Sequence, residues 1–412
     1  MEIDFAKENV AATFFDVEND GDLDLFLVSG GNEFENGSSD LDDRLSINLG
    51  NRKFVKALAN ATPPDHINGS CVAAADFDRD GDIDLFVGGR NRNSNFPLSA
   101  PSAILRNESS RANNLIKLEL ATKEVNPALR EVGMVTDAIW TDFNNDQWPD
   151  LLIVGEWMSI RLFENRKGKL VEVVDGSLQA AKGLWNRVVG SDLDDDGDLD
   201  YVLGNAGTNL PFRASLEDPL VMYYGDFNND GRIDPIICQS IDGKYYPIAS
   251  RDELSQQMSS LKKKYQSYAS YANATIEDVI GKEMVQEASR VEVTILESIV
   301  LENLGKGKFK THLLPLSAQF SSARGFIVKD FNKDGRKDIL LSGNFYPHKT
   351  QIGASDAGIG TCLLGVDKME YKAVQTAVFG ANKDAKNMVL LGEERFLMTV
   401  NNGSLLLSII ID

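Results

Sequence analysis

Six copies of one nine-residue pattern constrain the fold of this chain more than any other feature. In chain order they are DVENDGDLD from Asp16, DFDRDGDID from Asp76, DFNNDQWPD from Asp142, DLDDDGDLD from Asp192, DFNNDGRID from Asp226 and DFNKDGRKD from Asp330. Self-similarity of this kind is typical of a repeat architecture, in which one supersecondary unit recurs along the chain. We refer to the six segments as loops 1 to 6.

Short apolar runs flank every loop. VAATFF and CVAAA precede loops 1 and 2, and LFLVSG and LFVGG follow them. This pattern predicts a strand, a tight loop and a second strand in each unit. Further apolar runs in LSINLGNRKFVKAL, IRLFENRKGKLVEVV and IVLENLGKGKFKTHLL add a third and a fourth strand. Each complete unit is therefore predicted to be a four-stranded blade.

The spacing of the loops predicts how the blades are arranged. Loops 4 and 5 begin only 34 residues apart and loops 5 and 6 begin 104 residues apart, so the fourth blade is predicted to be abbreviated and the fifth to carry an insertion. Residues 251–290 are poor in β-branched residues, which predicts a helical insertion with Asp252 as its N-cap. NMVLLGE, RFLMTVNN and SLLLSIII predict a seventh blade without a loop. The prediction is an all-β, seven-bladed β-propeller over 1–412, a single domain closed by its N- and C-terminal segments.

The residue types within the loops indicate calcium. Side chains at positions 1, 3 and 5, the carbonyl of position 7 and the carboxylate of position 9 offer hard oxygen ligands, and glycine at position 6 permits the sharp turn. The strands on either side and the acid at position 9 distinguish the motif from an EF-hand. The predicted ligand residues are Asp16, Glu18, Asp20, Asp22, Asp24, Asp76, Asp78, Asp80, Asp82, Asp84, Asp142, Asn144, Asp146, Trp148, Asp150, Asp192, Asp194, Asp196, Asp198, Asp200, Asp226, Asn228, Asp230, Arg232, Asp234, Asp330, Asn332, Asp334, Arg336 and Asp338.

The charge distribution agrees with a cation in these loops. The chain has a net charge of -20, and the six loops hold 25 acidic and 5 basic residues, so they contain the whole negative excess. Closely spaced carboxylates repel one another without a cation. We expect four to six Ca²⁺ ions. Loops 2, 4, 5 and 6 fit the pattern, although Asn228 and Asn332 should weaken binding in loops 5 and 6. Glu18 lengthens position 3 of loop 1, and Gln147 and Pro149 make loop 3 the poorest match.

Composition excludes some classes of partner. The excess of Asp and Glu over Lys and Arg argues against a nucleic-acid surface and against binding to anionic lipid. No apolar run is long enough to span a membrane, and the first ten residues have no signal-peptide character. The chain is therefore either cytosolic or separated from its targeting segment. Three widely spaced cysteines in apolar contexts predict buried thiols rather than disulfides or a zinc site.

The loops resemble the FG-GAP/VCBS repeat family, which includes the integrin α-subunit propeller and the cartilage acidic protein group. GNAGTNLPFRASLEDPLVMYYGDFNNDG, YYPIASRDELSQQMSSLKKKYQSYASYANATIEDVIG and LSGNFYPHKTQIGASDAG further resemble secreted VCBS-repeat proteins of Bacteroidota that often carry a UnbV-type segment. The resemblance implies a C-terminal propeller of a longer parent chain, located extracellularly or at the outer-membrane surface. It implies no defined molecular activity.

The sequence favours binding over catalysis. The three histidines, His66, His312 and His348, are far apart, and no hydrolase or nucleotide-binding motif is present. We expect a binding or adhesion module for a protein or glycan ligand. The alternative is a carbohydrate-active enzyme, a glycosidase or lyase, on a propeller scaffold, but most carboxylates are assigned to the metal loops.

Candidate ligand-binding residues come from the stretches that resemble the family. They are Asn205, Asn209, Tyr245, Tyr246, Arg251, Asp252, Asn344, Tyr346 and His348. Aromatic residues outside the loops are more often blade packing, and Arg251 and Asp252 could instead anchor the helical insertion. Aromatic stacking beside amides would favour sugar, and a broad apolar patch would favour protein. We expect recognition on the face that carries 251–290, away from the calcium loops.

Overall fold

A computed structural model describes residues 7–113, 115–346, 353–375 and 383–409. Most of the regular structure in these residues is β-strand, arranged in seven small antiparallel sheets. We number the sheets by their first strand. The first three contain β1 (Asn9–Phe15), β2 (Asp24–Ser29), β3 (Arg44–Asn48) and β4 (Phe54–Lys56), then β5 (Gly69–Ala75), β6 (Asp84–Gly89), β7 (Ala103–Asn107) and β8 (Leu118–Leu120), then β9 (Met134–Thr141), β10 (Asp150–Ser159), β11 (Arg161–Asn165), β12 (Leu170–Glu172) and β13 (Lys182–Leu184).

The next two sheets are interleaved in sequence. Their strands are β14 (Arg187–Ser191), β15 (Asp200–Gly204), β16 (Leu220–Gly225), β17 (Asp234–Ile241), β18 (Lys244–Pro247), β19 (Ser289–Val293), β20 (Ile299–Asn303) and β21 (Phe309–Leu313). The fourth sheet has the order β14-β15-β20-β21, and the fifth has the order β18-β17-β16-β19. In the sequence, all four strands of the fifth sheet thus come between β15 and β20, the second and third strands of the fourth sheet.

This arrangement corrects the prediction of an abbreviated fourth blade. The apolar runs in IVLENLGKGKFKTHLL, which we assigned to the fifth unit, form β20 and β21 of the fourth sheet. Tyr201 pairs with Leu301, and Leu203 pairs with Ile299. The prediction was wrong because an apolar strand pattern gives the strand but not its partner, and we assigned each strand to the nearest preceding loop.

The last two sheets follow in sequence without interruption. Their strands are β22 (Ala323–Lys329), β23 (Asp338–Gly343), β24 (Thr361–Asp367) and β25 (Glu370–Gln375), then β26 (Ala385–Leu391), β27 (Arg395–Val400) and β28 (Leu406–Ile409). The sixth sheet contacts the fourth directly, since the Ala323 amide donates to the Asn205 carbonyl at 3.0 Å. Val202, Phe326 and Ile339 lie in one buried cluster shared by these two sheets.

Helices are few and short among the described residues. They are α1 (Thr122–Val125), α2 (Gly176–Ala180), α3 (Arg251–Gln257), α4 (Leu261–Lys264), α5 (Tyr268–Tyr271), α6 (Ile276–Ile280) and α7 (Lys282–Glu287), with 3-10 turns at Ser39–Leu41, Arg111–Asn113, Pro127–Glu131 and Leu316–Gln319. Five helices, α3 to α7, follow one another between β18 and β19 of the fifth sheet. The N-cap of α3 is Ser250, which forms a capping box with Glu253, so the assignment of Asp252 as the cap was wrong.

The chain divides into two compact units. The first comprises Met1–Thr136, Lys167–Leu170 and Phe212–Ile295, and the second comprises Asp137–Arg166, Val171–Pro211 and Leu296–Asp412. The first unit contains the first, second and fifth sheets. The second unit contains the fourth, sixth and seventh sheets and nearly all of the third. The closed ring of seven blades stays a prediction.

Burial explains why the second strand of each unit is so apolar. All residues of β6, β15 and β23 are buried. Strands buried on both faces require continuous apolar side chains rather than an alternating pattern. Cys71, Cys238 and Cys362 are buried free thiols, as predicted. No helix within the described ranges has the length and apolar content needed to cross a membrane.

Candidate metal centres

Each of the six loops connects two neighbouring antiparallel strands, from β1 to β2, β5 to β6, β9 to β10, β14 to β15, β16 to β17 and β22 to β23. The carboxylate at position 1 organises the turn. In loop 1, the Asp16 carboxylate accepts from the amides of Asp20 at 3.0 Å and Gly21 at 2.7 Å. Equivalent pairs of bonds are present in loops 2, 3, 5 and 6. These bonds curl the backbone around the side chains of positions 1, 3 and 5.

The carboxylate at position 9 joins the loop to the sheet. In loop 2, Asp84 is fully buried and accepts from the amide of Phe77 at 3.3 Å and from the amide of Asn107, the last residue of β7, at 2.8 Å. The same bond to position 2 is present in all six loops. In loops 1 to 4 and in loop 6, an amide of the third strand also donates to position 9. In these loops position 9 therefore fixes the loop against the third strand, a structural role in addition to the predicted ligand role.

Burial makes these carboxyls difficult to ionise without a cation. It raises the pKa of Asp84, Asp150 and Asp200 to about 7, against the lowering effect of their backbone hydrogen bonds. Other carboxylates in the same loop raise these pKa values further. The pKa of Asp198 is raised to about 6 by burial and then by Asp196 and Asp194. A divalent cation in the loop would favour the ionised forms.

Loops 2 and 4 fit a calcium ion best. The side-chain oxygens of Asp76, Asp78 and Asp84 lie within 4.8 Å of one another, and the same holds for Asp192, Asp194 and Asp200. Asp78 has one buried carboxylate oxygen that accepts no hydrogen bond from the protein. The same is true of one oxygen in each of Asp192, Asp194 and Asp198. Buried carboxylate oxygens need a partner, and converging hard oxygens suit Ca²⁺.

In loops 3, 5 and 6, the position 5 carboxylate accepts a hydrogen bond from the side chain at position 3. In loop 3 the Asn144 amide group donates to the Asp146 carboxylate at 3.1 Å, and Asn228 and Asn332 do the same to Asp230 at 3.2 Å and Asp334 at 3.0 Å. An amide donor thus contacts an oxygen that a cation would otherwise take. Weaker binding in loops 5 and 6 stays a prediction.

Residues that depart from the repeat pattern also affect the loops. Gln147 adopts a left-handed backbone with φ of 70° where the other loops have glycine, which is unfavourable for a side chain. In loop 1, burial and then Asp20 raise the pKa of Glu18. The position 7 residues Trp148, Arg232 and Arg336 each donate their amide to the position 5 carboxylate.

Two cations outside the motif contact position 3 and were not predicted. Arg106 on β7 bonds the Asp78 carboxylate at 2.9 Å, and Lys368, between β24 and β25, bonds the Asp194 carboxylate at 3.1 Å. Each leaves the other carboxylate oxygen of its partner buried without a hydrogen bond. No pattern in the sequence indicates the contact of Lys368, because this residue is far from loop 4 in the chain.

A repeated asparagine at the end of the third strand was also missed, although the sequence contains a signal for it. Asn48, Asn107, Asn165 and Asn303 each end a third strand, in SIN, LRN, FEN and LEN. The Asn107 side chain donates to the Val17 carbonyl of loop 1 at 3.0 Å. The Asn303 side chain donates to the Phe143 carbonyl of loop 3 at 2.8 Å. Asn107 and Asn303 therefore connect their sheets to the loop of the preceding sheet, whereas Asn48 and Asn165 donate to a carbonyl of the loop in their own sheet.

The predicted ligand-binding residues of the second unit are mostly engaged by the protein itself. Asn205 and Asn344 are fully buried. The Asn205 side chain accepts from the Leu184 amide at 3.0 Å, and Asn209 donates to the Phe320 carbonyl at 3.3 Å. Tyr346 is 44% exposed.

His348 lies outside the described residues. Of the other two histidines, His66 contacts Asp42 at 2.6 Å, and His312 contacts Glu302 at 2.6 Å.

The candidates of the first unit belong to the fifth sheet and its helices. Tyr245 packs edge-on against Tyr223 with ring centroids 5.9 Å apart. Tyr246 follows it in β18 and is partly buried. Arg251 donates to the Tyr265 carbonyl at 2.7 Å and bonds Asp252 at 2.9 Å. These contacts support the alternative that Arg251 anchors the insertion.

Comparison with known proteins agrees with the loop geometry. The family model for FG-GAP-like repeats matches residues 13–87 and 142–203, which contain loops 1 to 4. These two ranges are thus similar to FG-GAP-like repeats, in a chain whose regular structure is mostly β. A search of curated proteins finds no match.

Two solved structures align over most of the chain at low similarity. The exotype rhamnogalacturonan lyase YesX is 13% identical, with 97% of this chain and 72% of that chain covered and a TM-score of 0.32. The V. cholerae biofilm matrix protein Bap1 is 12% identical, with 96% and 85% covered and a TM-score of 0.28. No activity is transferred from either protein.

Proposed function

We propose that this chain is an extracellular calcium-binding β-propeller that acts as a binding module without turnover. The observation that carries the calcium assignment is the set of buried, unpaired carboxylate oxygens in loops 2 and 4. Extracellular calcium modules operate at dissociation constants of about 10⁻⁴ to 10⁻³ M, which tolerates the neutral ligands of loops 5 and 6. The FG-GAP-like repeats support the same assignment.

The arrangement of sheets supports a particular version of the propeller. The sixth sheet packs directly on the fourth, although the fifth sheet comes between them in the order of their loops along the chain. In this proposal the first four, the sixth and the seventh sheets are blades, and the fifth sheet with α3 to α7 is an inserted module. The revised number of blades is six.

The inserted module leaves and rejoins the fourth sheet at one place. The Asn205 amide donates to the Ser298 hydroxyl at 3.0 Å, and the Gly207 amide donates to the Leu296 carbonyl at 2.9 Å. The module also has its own buried cluster, which includes Val221, Leu254 and Ile276, and its own Asp-rich loop. A segment with its own buried cluster and closely spaced ends is suited to carry recognition.

The exposed surface of the module carries a tyrosine and an arginine together. Tyr268 is 64% exposed, and its hydroxyl donates to the Asp252 carboxylate. The Arg251 guanidinium lies 5.1 Å from the centroid of the Tyr268 ring. Tyrosine and arginine are enriched among residues that dominate protein interfaces. One face of the ring is already covered by Arg251, which favours a protein partner over stacking on a sugar ring.

Excision of the module tests this proposal. Residues 208–295 are replaced by a short Gly-Ser bridge, because the Gly207 and Leu296 backbones are already in hydrogen-bond contact. We expect the shortened protein to keep cooperative unfolding and calcium stabilisation but to lose partner capture from a cell-surface fraction. A glycan array is run in parallel. Retained capture would place recognition elsewhere, glycan binding would replace the protein partner, and loss of folding would make the module structural.

Point substitutions in the full chain refine the test. Tyr268→Ala should weaken partner capture at least tenfold if Tyr268 dominates the interface. Tyr346→Ala, the same change at an exposed tyrosine of the second unit, is the matched control and should leave capture unchanged. Equal effects of the two substitutions would remove the support that Tyr268 gives to the proposal.

A further inference from the structure

A cavity of about 280 Å³ lies at the end of the sixth sheet away from loop 6. Its walls are the turn before β22, the last residues of β23, the segment before β24 and the end of β25. No charged side chain lines it among the residues that the structure describes. It is therefore unlike the calcium loops in chemistry as well as in position.

The walls combine apolar side chains with hydroxyl groups. Leu341 and Val374 provide buried or partly buried apolar surface, and Phe320 and Ile359 are exposed large apolar side chains of the lining. Pockets with this composition bind small molecules through apolar contact and a few polar groups. An ionised ligand would find no opposite charge in the described lining and would lose its hydration.

Two hydroxyls of the lining have no partner. The Oγ atoms of Ser317 and Ser342 are buried and form no hydrogen bond within the protein, and Ser342 is only 1% exposed. Buried hydroxyls normally have a hydrogen-bond partner, either protein or water. Neither Oγ atom has accessible surface, so the cavity presents mainly its apolar groups to a ligand.

The backbone holds the cavity open in a fixed form. Asn344, next to the wall residue Gly343, has φ of 135°, an unusual value for a residue with a side chain. Its side chain accepts from the Gly358 amide at 2.9 Å and donates to the Gly358 carbonyl at 3.0 Å and the Lys383 carbonyl at 3.2 Å. These bonds attach the segment before β24 to the end of β23. A preformed cavity costs less ordering when a ligand binds.

We propose that this cavity binds an uncharged, mostly apolar molecule of about two rings. An apolar cavity of about 150 Å³ holds benzene, so a volume nearly twice as large suits a second ring. The proposal is independent of calcium binding and of the inserted module, because no residue of the loops or of the module lines the cavity.

The test uses three probes with the full chain. 2-Naphthol has two rings and a hydroxyl and is uncharged at neutral pH, naphthalene-2-sulfonate adds a negative charge, and glucose is fully polar. Binding is measured by saturation-transfer NMR and calorimetry. We expect saturable binding of 2-naphthol alone. Absence of 2-naphthol binding would overturn the proposal, as would equal binding of all three probes.

Variants localise the probe. Ala357→Trp places a bulky ring on an exposed residue of the lining and should abolish binding of 2-naphthol. Ala354→Trp is the matched control, because Ala354 is exposed but does not line the cavity. Both tryptophan variants are first checked for thermal unfolding like that of the parent protein. Equal binding of 2-naphthol by the two variants would place the probe elsewhere.

Discussion

Replacing Asp192 with asparagine should make the protein more stable than the parent without metal and less stable than the parent in calcium. One oxygen of Asp192 accepts from the Gly197 amide at 3.1 Å, and the other is buried without a hydrogen bond. Asparagine has the same shape and keeps the first bond through its oxygen. It replaces the second carboxylate oxygen with a neutral amide nitrogen, which removes a negative charge and a predicted oxygen ligand. The substitution therefore separates the ligand role of Asp192 from its role in the turn.

The magnitude follows from the distances in loop 4. The oxygens of Asp192, Asp194 and Asp200 lie within 4.8 Å of one another. Two unit charges at that separation repel by about 1 kcal/mol in water and about 3.5 kcal/mol at an effective dielectric constant of 20. Because the loop is partly exposed, we take about 1 kcal/mol as the gain of Asp192→Asn in EDTA.

Calcium changes the sign of the effect. A site at a hundredfold excess of free ligand over its dissociation constant stabilises the folded state by about 2.7 kcal/mol. If Asp192→Asn abolishes that site, the variant becomes less stable than the parent by about 1.7 kcal/mol in calcium, after the gain of about 1 kcal/mol is subtracted.

The assay is thermal unfolding of both proteins in EDTA and in calcium, with the dissociation constant from calorimetry. Asp195→Asn is the matched control, because Asp195 is exposed at position 4 of the same loop and its φ of 59° is tolerated by asparagine. The control should not lose calcium stabilisation. Equal destabilisation by Asp192→Asn in EDTA and in calcium would refute the assignment of its oxygen as a cation ligand.

Three further predictions concern the loops and the connections between sheets. Burial raises the pKa of Asp84 in the folded state to about 7, so the metal-free protein should lose stability as pH rises from about 4 to about 7; melting temperatures in EDTA that rise over this range would contradict it. Asp196→Ala should reduce calcium stabilisation more than Asp146→Ala, measured by melting temperature, and the reverse order would refute our ranking of loops 3 and 4. Asn303→Ala should cost about 1 to 3 kcal/mol in urea unfolding by leaving the Phe143 carbonyl unpaired, whereas the exposed Asn113→Ala should cost little; equal costs would show that the connection contributes nothing.

Local features of the fold could be predicted from the sequence because they depend on neighbouring residues. The strand, loop and strand order around each Asp-rich segment follows from apolar runs and turn residues only a few positions apart. The helical character of the segment from Arg251 to Glu287 follows from composition in the same way. Asp252 was misplaced as the cap by two residues, since Ser250 and Glu253 form the capping box.

Features that depend on distant partners could not be predicted. Nothing in the apolar run at Ile299–Asn303 shows that it pairs with β15 rather than with the preceding sheet. Likewise, Lys368 reaches Asp194 only because of how the fourth and sixth sheets pack. The asparagines that end the third strands are an intermediate case, because their repetition is visible in the sequence but their acceptor carbonyls are not.

The interleaving of the fourth and fifth sheets has a consequence for the order of folding. When β15 leaves the ribosome, its partner β20 has not been synthesised, and the pairing of Tyr201 with Leu301 closes a loop of 100 residues. Until then, a fully buried apolar strand has an unpaired edge, which is prone to association with other chains. Early folding of the inserted module would bring the two ends together and shorten this interval. We expect variants that slow folding of the module to aggregate during synthesis even where the finished protein is stable.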